Sequence, residues 1–119
     1  MINDNKWFSD DNLLKRISLS KTLLEKNTGF IPTILEFKDN KYKIPNDGVM
    51  KILINNSYTI GQLHCIIRKK CKINNTEAMY LFCNNFLLPN SYDMSYLYSK
   101  YKNKDGFLYI QITFLETYG

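Results

Sequence analysis

Hydrophobic residues recur at two spacings along the chain, and each spacing predicts a different kind of element. Neither glycine nor proline occurs in residues 7–28, where Leu13, Ile17 and Leu24 stand at helical spacing. The preceding residues 9–11, Ser-Asp-Asp, are of the types that cap helix N-termini. The pattern predicts an amphipathic helix that ends near Gly29.

Four later segments have the composition or the alternation of β-strands. The clearest is 107–114, in which every second residue from Leu108 to Phe114 is large and apolar, so that one face is predicted to be core. Segments 31–37, 49–54 and 79–83 are rich in β-branched and aromatic residues. Pro32 fits the first of these only because it stands near the beginning of the strand.

Two further helices are predicted between the strands. Thr59 is a capping residue, and apolar residues follow it at i, i+3, i+7 and i+11, namely Ile60, Leu63, Ile67 and Cys71. A short helix is predicted for 93–101. This order of elements predicts an α+β fold, a β-grasp with a four-stranded sheet and an N-terminal helical extension. We expect one domain over 1–119, divided into the extension (1–29), the core (30–114) and a tail (115–119).

The net charge of +5 comes almost wholly from lysine, since Arg16 and Arg68 are the only arginines. Positive charge allows attraction to anionic lipid or to acidic peptides. The lysines are scattered along the chain, so we predict no nucleic-acid binding. The basic run 68–72 lies at the C-terminus of a predicted helix, where the backbone dipole favours cations. The run can therefore serve to stabilise the helix end or to dock acidic peptides, and the sequence favours neither role over the other.

The sequence predicts no catalysis and no cofactor or metal. His64 and Cys65 are adjacent, and successive helix residues point about 100° apart, so the two cannot act as a catalytic pair. The three cysteines contain no CxxC pair, which favours a reducing compartment. The opening residues lack an apolar signal segment, and the apolar runs are too short to span a bilayer. We therefore expect a cytoplasmic protein.

Several segments in the second half of the chain carry a family resemblance. They are Thr59-Ile60-Gly61-Gln62-Leu63, then 66–70, 80–85 and 104–110, and the final Thr117-Tyr118-Gly119. They resemble the autophagy-related protein eight family of ubiquitin-like modifiers, whose animal members include the GABA-receptor-associated protein. The spacing from Thr59 to Gly119 is similar to the family's without a gap.

The resemblance implies a ubiquitin-like fold, coupling of Gly119 to phosphatidylethanolamine, and recognition of short W/F/Y-x-x-L/I/V peptides on receptors. It implies as partners an activating and a conjugating enzyme and a deconjugating cysteine protease. Positions matching the family's pocket for the aromatic residue are Leu19, Leu23, Pro32, Ile34, Lys51, Leu53 and Phe107. Those matching its pocket for the aliphatic residue are Ile52, Ile54, Tyr58, Leu63 and Ile66, with Arg68 near acidic residues that flank the motif.

Four positions depart from the family's pattern and bear on which peptides bind. Phe30 stands in place of an arginine, Asn55 of a proline, Leu19 of an acidic residue and Val49 of a basic one. The alternative to a lipid-coupled adaptor is a ubiquitin-like binding module that is unconjugated or joined to proteins. The abundance of Asn, Lys, Ile and Tyr is typical of an A/T-rich protist genome. The expected membrane is that of the autophagosome or, in an apicomplexan, of the apicoplast.

Overall fold

A computed structural model describes residues 12–114 of the chain. The helical elements in that range are α1 (Leu13–Lys26), α2 (Pro45–Gly48), α3 (Ile60–Cys71) and α4 (Met94–Tyr101). The strands are β1 (Phe30–Phe37), β2 (Val49–Asn55), β3 (Met79–Cys83), β4 (Phe86–Leu87) and β5 (Leu108–Phe114). α2 is a single turn in which Asn46 and Asp47 both have a left-handed φ of 58°.

The strands form one mixed sheet in the order β2-β1-β5-β3-β4. β1 runs parallel to β5, and the other neighbouring pairs are antiparallel. The predicted α+β class and ubiquitin-like fold are confirmed, but within residues 12–114 the sheet has five strands instead of the predicted four. The additional strand, β4, has only two residues and follows β3 through Asn84 and Asn85, whose φ values are 51° and 65°. Two residues are too few to show an alternation, so this strand was not predicted from the sequence.

α3 begins and ends where the sequence predicted. The Thr59 hydroxyl accepts a hydrogen bond from the Gln62 N–H, and the Gln62 side chain accepts one from the Thr59 N–H. This reciprocal pair satisfies two N–H groups at the start of the helix. The predicted apolar stripe faces the core, with Cys71 only half-buried and three residues fully buried: Ile60, Leu63 and Ile67. The inward face of β5, from Leu108 to Phe114, packs in the same cluster.

α1 lies on the opposite face of the sheet and packs through a different side from the one predicted. Ile17 and Leu24, in the predicted apolar stripe, are 37% and 36% exposed. The buried residues of α1 are instead Arg16 and Ser20. The prediction is therefore wrong for Ile17 and Leu24, whereas Leu13 is half-buried. The reason is a polar partner, the buried side chain and carbonyl of Asp105, which apolar periodicity cannot reveal.

The Asp105 carboxylate is 1% exposed and accepts three hydrogen bonds. Arg16 Nε donates to Oδ2 over 2.9 Å, the Tyr109 hydroxyl donates to the same oxygen, and the Phe107 N–H donates to Oδ1 over 2.9 Å. In addition, Ser20 Oγ donates to the Asp105 backbone carbonyl over 2.6 Å. Two consecutive turns of α1 are thereby attached to the loop before β5.

Gly106 allows this close approach. Its φ is 91°, and a Cβ atom at this position would lie 2.2 Å from Ser20 Oγ. Glycine is therefore required here both for the left-handed backbone and for the space that α1 occupies.

Replacing Arg16 by alanine should loosen α1, because it leaves the buried Asp105 carboxylate without its cation. We expect the free energy of unfolding to fall by about 3 kcal/mol, measured by urea unfolding. Leu14→Ala is the control on the same helix: Leu14 is 79% exposed, and its truncation should cost no more than about 0.5 kcal/mol. An Arg16→Ala protein as stable as the wild type would show that the ion pair does not hold the helix.

Candidate functional site

β2 forms one edge of the sheet. It pairs with β1 on one side, from Phe30 opposite Asn55 to Glu36 opposite Val49, and no other strand among residues 12–114 pairs with its outer side. The outer edge of such a strand presents backbone N–H and C=O groups that an extended peptide can pair with.

A cavity of about 440 Å³ lies beside this edge. α1 contributes Leu19 and Leu23, and the sheet contributes Pro32, Lys51 and Leu53. The lining is completed by Phe107, which precedes β5, by Ile52 of β2 and by Lys70 of α3. Six of the seven residues predicted for the aromatic pocket therefore line one cavity.

Strand alternation explains why these side chains meet. Pro32 pairs with Leu53, and Ile34 pairs with Lys51, so these four residues share the face of the sheet that α1 covers. Ile34, the seventh predicted residue, is 0% exposed and is not among the lining residues. It lies beneath the cavity as a core residue, because the sheet and α1 together cover it.

Two lining residues differ from the prediction. Ile52 was assigned to the aliphatic pocket but lines this cavity, and Lys70 was not predicted at all. One signal could have found Lys70: it follows the predicted residue Ile66 by four positions on α3, and residues at this spacing share a helix face. Lys51 and Lys70, both exposed, make the cavity rim positively charged.

The residues predicted for the aliphatic pocket do not all reach the surface. Ile54 and Leu63 are 2% and 0% exposed and belong to the main hydrophobic core. Tyr58 is 36% exposed, and Ile52 and Ile66 are half-buried. Only the last three can contact a ligand without a rearrangement, while Ile54 and Leu63 support them from below.

Arg68 makes structural hydrogen bonds within the chain. Its Nη1 donates to the Asn74 carbonyl over 2.9 Å, and its Nη2 donates to the Glu77 carbonyl over 2.8 Å. Both carbonyls belong to the loop between α3 and β3, so the guanidinium holds that loop against the helix. The predicted position of Arg68 beside acidic peptide residues is not favoured by this geometry, and Lys51 and Lys70 are the cations that line the cavity.

The described histidine and cysteines do not form an activated pair. Burial, followed by the nearby Arg68 charge, lowers the pKa of His64. Burial, together with the Glu36 charge, raises the pKa of the Cys83 thiol to about 11. Cys65 is exposed. A lowered His pKa and a raised thiol pKa both oppose the ion pair that a thiol nucleophile needs.

Comparison with known proteins decides the family. A sequence model of the family described as "Autophagy protein Atg8 ubiquitin like" matches residues 15–119. The chain belongs to the Atg8 family. It is accordingly a ubiquitin-like modifier of autophagy and not an enzyme, as the resemblance implied.

Individual Atg8 relatives cover nearly the whole chain. Autophagy-related protein 8e of Arabidopsis thaliana is 36% identical over 110 residues, which are 92% of this chain and 89% of the plant protein. Autophagy-related protein 8 of Schizosaccharomyces pombe is 35% identical over 113 residues, covering 94% and 93%. The crystal structure of Trypanosoma brucei ATG8 is similar with a TM-score of 0.83 and 28% identity, covering 98% of this chain and 100% of that one.

Gly119, the predicted conjugation residue, lies outside the described residues. None of the helices in residues 12–114 has the length and apolar character needed to cross a bilayer.

Arg68→Ala should destabilise the protein by about 1–2 kcal/mol, because the α3–β3 loop loses two hydrogen bonds from a charged donor. Lys69→Ala, at an exposed neighbouring position, is the control and should change stability by less than about 0.5 kcal/mol. Urea unfolding of both variants measures the difference. If Arg68→Ala leaves stability unchanged and weakens peptide binding instead, Arg68 is a ligand contact and not a loop anchor.

Proposed function

We propose that this Atg8 family protein is coupled through Gly119 to phosphatidylethanolamine and serves as a membrane-tethered adaptor for short W/F/Y-x-x-L/I/V peptides. The observation that carries the peptide part is the open, mostly apolar cavity beside the outer edge of β2. An edge strand provides backbone pairing, and a cavity next to it provides a place for one side chain of the paired peptide.

In the proposed complex the peptide adds to β2 as a further strand. Its aromatic residue enters the cavity between α1 and β2, against Leu23, Leu53 and Phe107. Its aliphatic residue, three positions later, contacts the surface of Ile66 and Tyr58. Acidic residues that flank the motif approach Lys51 and Lys70, the exposed cations of the rim.

The conjugation part rests on family membership and on the chemistry of Gly119. A glycine carboxylate carries no Cβ, so it can pass through a narrow enzyme channel, be adenylated and be transferred as a thioester. The activating and conjugating enzymes of the autophagy pathway would perform these steps, and a cysteine protease would reverse them. The acquired acyl chains would insert into the membrane, which we expect to be that of the autophagosome.

The second candidate function is that of a peptide-binding module that uses the same groove. Such a module would be conjugated to proteins or not conjugated at all. The groove favours this candidate equally, because every lining residue within the described range 12–114 belongs to 19–107. The two candidates are therefore separated by the fate of the C-terminus and not by peptide binding.

Truncating the cavity wall at Leu53, or the proposed contact surface for the aliphatic residue at Ile66, should weaken peptide binding. Leu53→Ala and Ile66→Ala should each raise the Kd for an acidic-flanked W/F/Y-x-x-L peptide about fivefold or more, a loss of about 1 kcal/mol. Isothermal titration calorimetry measures this. Leu14→Ala is the matched control, since it removes the same atoms as Leu53→Ala from an exposed position outside the cavity. If no such peptide binds the wild type, the groove is not a site for this motif.

Gly119→Ala should abolish lipid coupling. Wild type incubated with the cognate activating and conjugating enzymes, ATP and phosphatidylethanolamine liposomes should shift on a gel and float with the membranes. The variant and a protein lacking Gly119 should do neither, while Leu14→Ala should behave as wild type. Flotation of the protein lacking Gly119 would contradict the mechanism, and a shift that appears only with protein acceptors would support the second candidate.

A further inference from the structure

Phe114 is the residue from which the tail 115–119 leaves the described fold. It closes β5, is 9% exposed and belongs to the main hydrophobic core. Two strands flank it: β1 runs parallel to β5 with Phe37 opposite Ile112, and β3 runs antiparallel with Met79 opposite Phe114. The position of this one residue therefore sets the point at which the tail begins.

Three side chains, those of Lys41, Tyr42 and Glu77, form a clamp over Phe114. The centroid of the Tyr42 ring lies 5.2 Å from that of Phe114, and the two rings are tilted by 52°. Lys41 Nζ lies 5.4 Å from the centroid of the Phe114 ring, within the range of a cation–π contact. Glu77 holds both neighbours, since the Tyr42 hydroxyl donates to its Oε1 over 2.5 Å and Lys41 Nζ forms an ion pair with its Oε2.

The clamp joins two loops, each of which has a backbone anchor of its own. Its first two residues lie between β1 and α2, and Glu77 lies between α3 and β3. In the first loop the Lys38 N–H donates to the Ile112 carbonyl over 3.0 Å. In the second, Arg68 Nη2 donates to the Glu77 backbone carbonyl over 2.8 Å. A change confined to the clamp side chains leaves these two bonds intact.

The protonation states of the clamp residues favour its closed form. The hydrogen bonds from Lys41 and then Tyr42 lower the pKa of Glu77, so this carboxylate is ionised at neutral pH. The bond to Glu77 raises the pKa of Tyr42, so the phenol keeps its proton. A hydroxyl that donates to an ionised carboxylate forms a stronger bond than a neutral pair does. Such a bond therefore holds the Tyr42 ring against Phe114 at neutral pH.

The tail reaches only a short way beyond Phe114. Its five residues, 115–119, can span at most about 17 Å when fully extended. A displacement of Phe114 therefore moves the whole region that Gly119 can reach. During activation the Gly119 carboxylate displaces pyrophosphate from ATP, and the enzyme's cysteine thiolate then displaces AMP to form the thioester. Both steps require the glycine at the reactive centre, so their rate depends on where the tail begins.

We propose that the clamp positions the tail for conjugation by fixing Phe114. Tyr42 is the positioning residue in contact with Phe114, and Glu77 acts through Tyr42 and Lys41. This inference rests on the proposed coupling through Gly119 and deepens it.

The test is single-turnover thioester formation by the full-length protein with ATP and the cognate activating enzyme in excess, at several enzyme concentrations. Glu77→Ala removes the acceptor of both clamp bonds and keeps the backbone carbonyl that Arg68 uses. It should lower the maximum rate constant about fivefold or more and leave the half-saturating enzyme concentration unchanged. An unchanged maximum rate constant would overturn the proposal. A changed half-saturating concentration alone would also overturn it, because the clamp would then be a contact surface for the enzyme.

Two further variants separate positioning from stability. Glu77→Gln keeps an oxygen that accepts from Tyr42, so it should retain most of the wild-type rate constant. Asn75→Ala changes an exposed residue of the same loop and should leave both constants unchanged. A smaller folded fraction, measured by urea unfolding, would lower the amplitude or raise the half-saturating concentration, and it would not lower the maximum rate constant. Equal loss of rate in Glu77→Gln and Glu77→Ala would overturn the role of the Tyr42 hydrogen bond.

Failure of the clamp can be told apart from failure of the proposed function. If the wild type forms no thioester, coupling through Gly119 fails and the clamp inference fails with it. If the wild type reacts and Glu77→Ala reacts at the same maximum rate, only the clamp inference fails.

Discussion

The buried carboxylate of Asp105 is the group on which the geometry of the groove depends. Its partners come from both ends of the sequence: Phe107 and Tyr109 beside it, and Arg16 from 89 residues away. A buried ionised carboxylate is tolerated only when it is paired and hydrogen-bonded, so its burial depends on these contacts. They fix α1 against the sheet, and α1 forms one wall of the cavity with Leu19 and Leu23. Phe107, whose N–H donates to the carboxylate, lines the same cavity.

The helix carries two rows of side chains with separate tasks. Arg16 and Ser20 are four residues apart and contact Asp105, whereas Leu19 and Leu23, also four apart, form the cavity wall. A row of apolar residues could shift along the sheet by a turn at modest cost. An ion pair and a hydroxyl–carbonyl bond on consecutive turns restrict both the rotation and the translation of the helix. The polar row therefore determines where the apolar row is presented.

The sequence predicted best the elements whose signals are local. Thr59, followed by its apolar stripe, gave the bounds of α3, and the strict alternation before Phe114 gave the inward face of β5. Pro32 also stood where expected, since the β1–β5 ladder begins only at the next residue and its missing N–H leaves no gap there. The packing face of α1 could not be predicted, because Arg16 and Ser20 are buried only through a contact with a distant residue.

Some features of the candidate site could likewise be predicted from the sequence, and others could not. Most positions matched to the family's aromatic pocket lie around one cavity, since the fold fixes which strand and helix meet. They could not show that Ile34, Ile54 and Leu63 are covered, because alternation assigns a residue to a face and does not say how much of that face is open. Nor could they show that Arg68 bonds two carbonyls of its own loop, since the basic run suited a helix C-terminus and an acidic ligand equally well.

The hydrogen bonds between Arg68 and its own loop affect how the groove discriminates among peptides. An arginine can fix a carboxylate through two parallel bonds, whereas a lysine is a flexible point charge without such a preferred geometry. With Arg68 bonded to its loop, the cations that line the cavity are Lys51 and Lys70. Exposed lysines attract acidic peptides and raise the rate of encounter, but they hold no carboxylate in a defined orientation. The rigid parts of the groove are its apolar walls, which Asp105 keeps in place through α1. Selectivity among ligands must therefore come mainly from what those walls accept, and only secondarily from the charge around them.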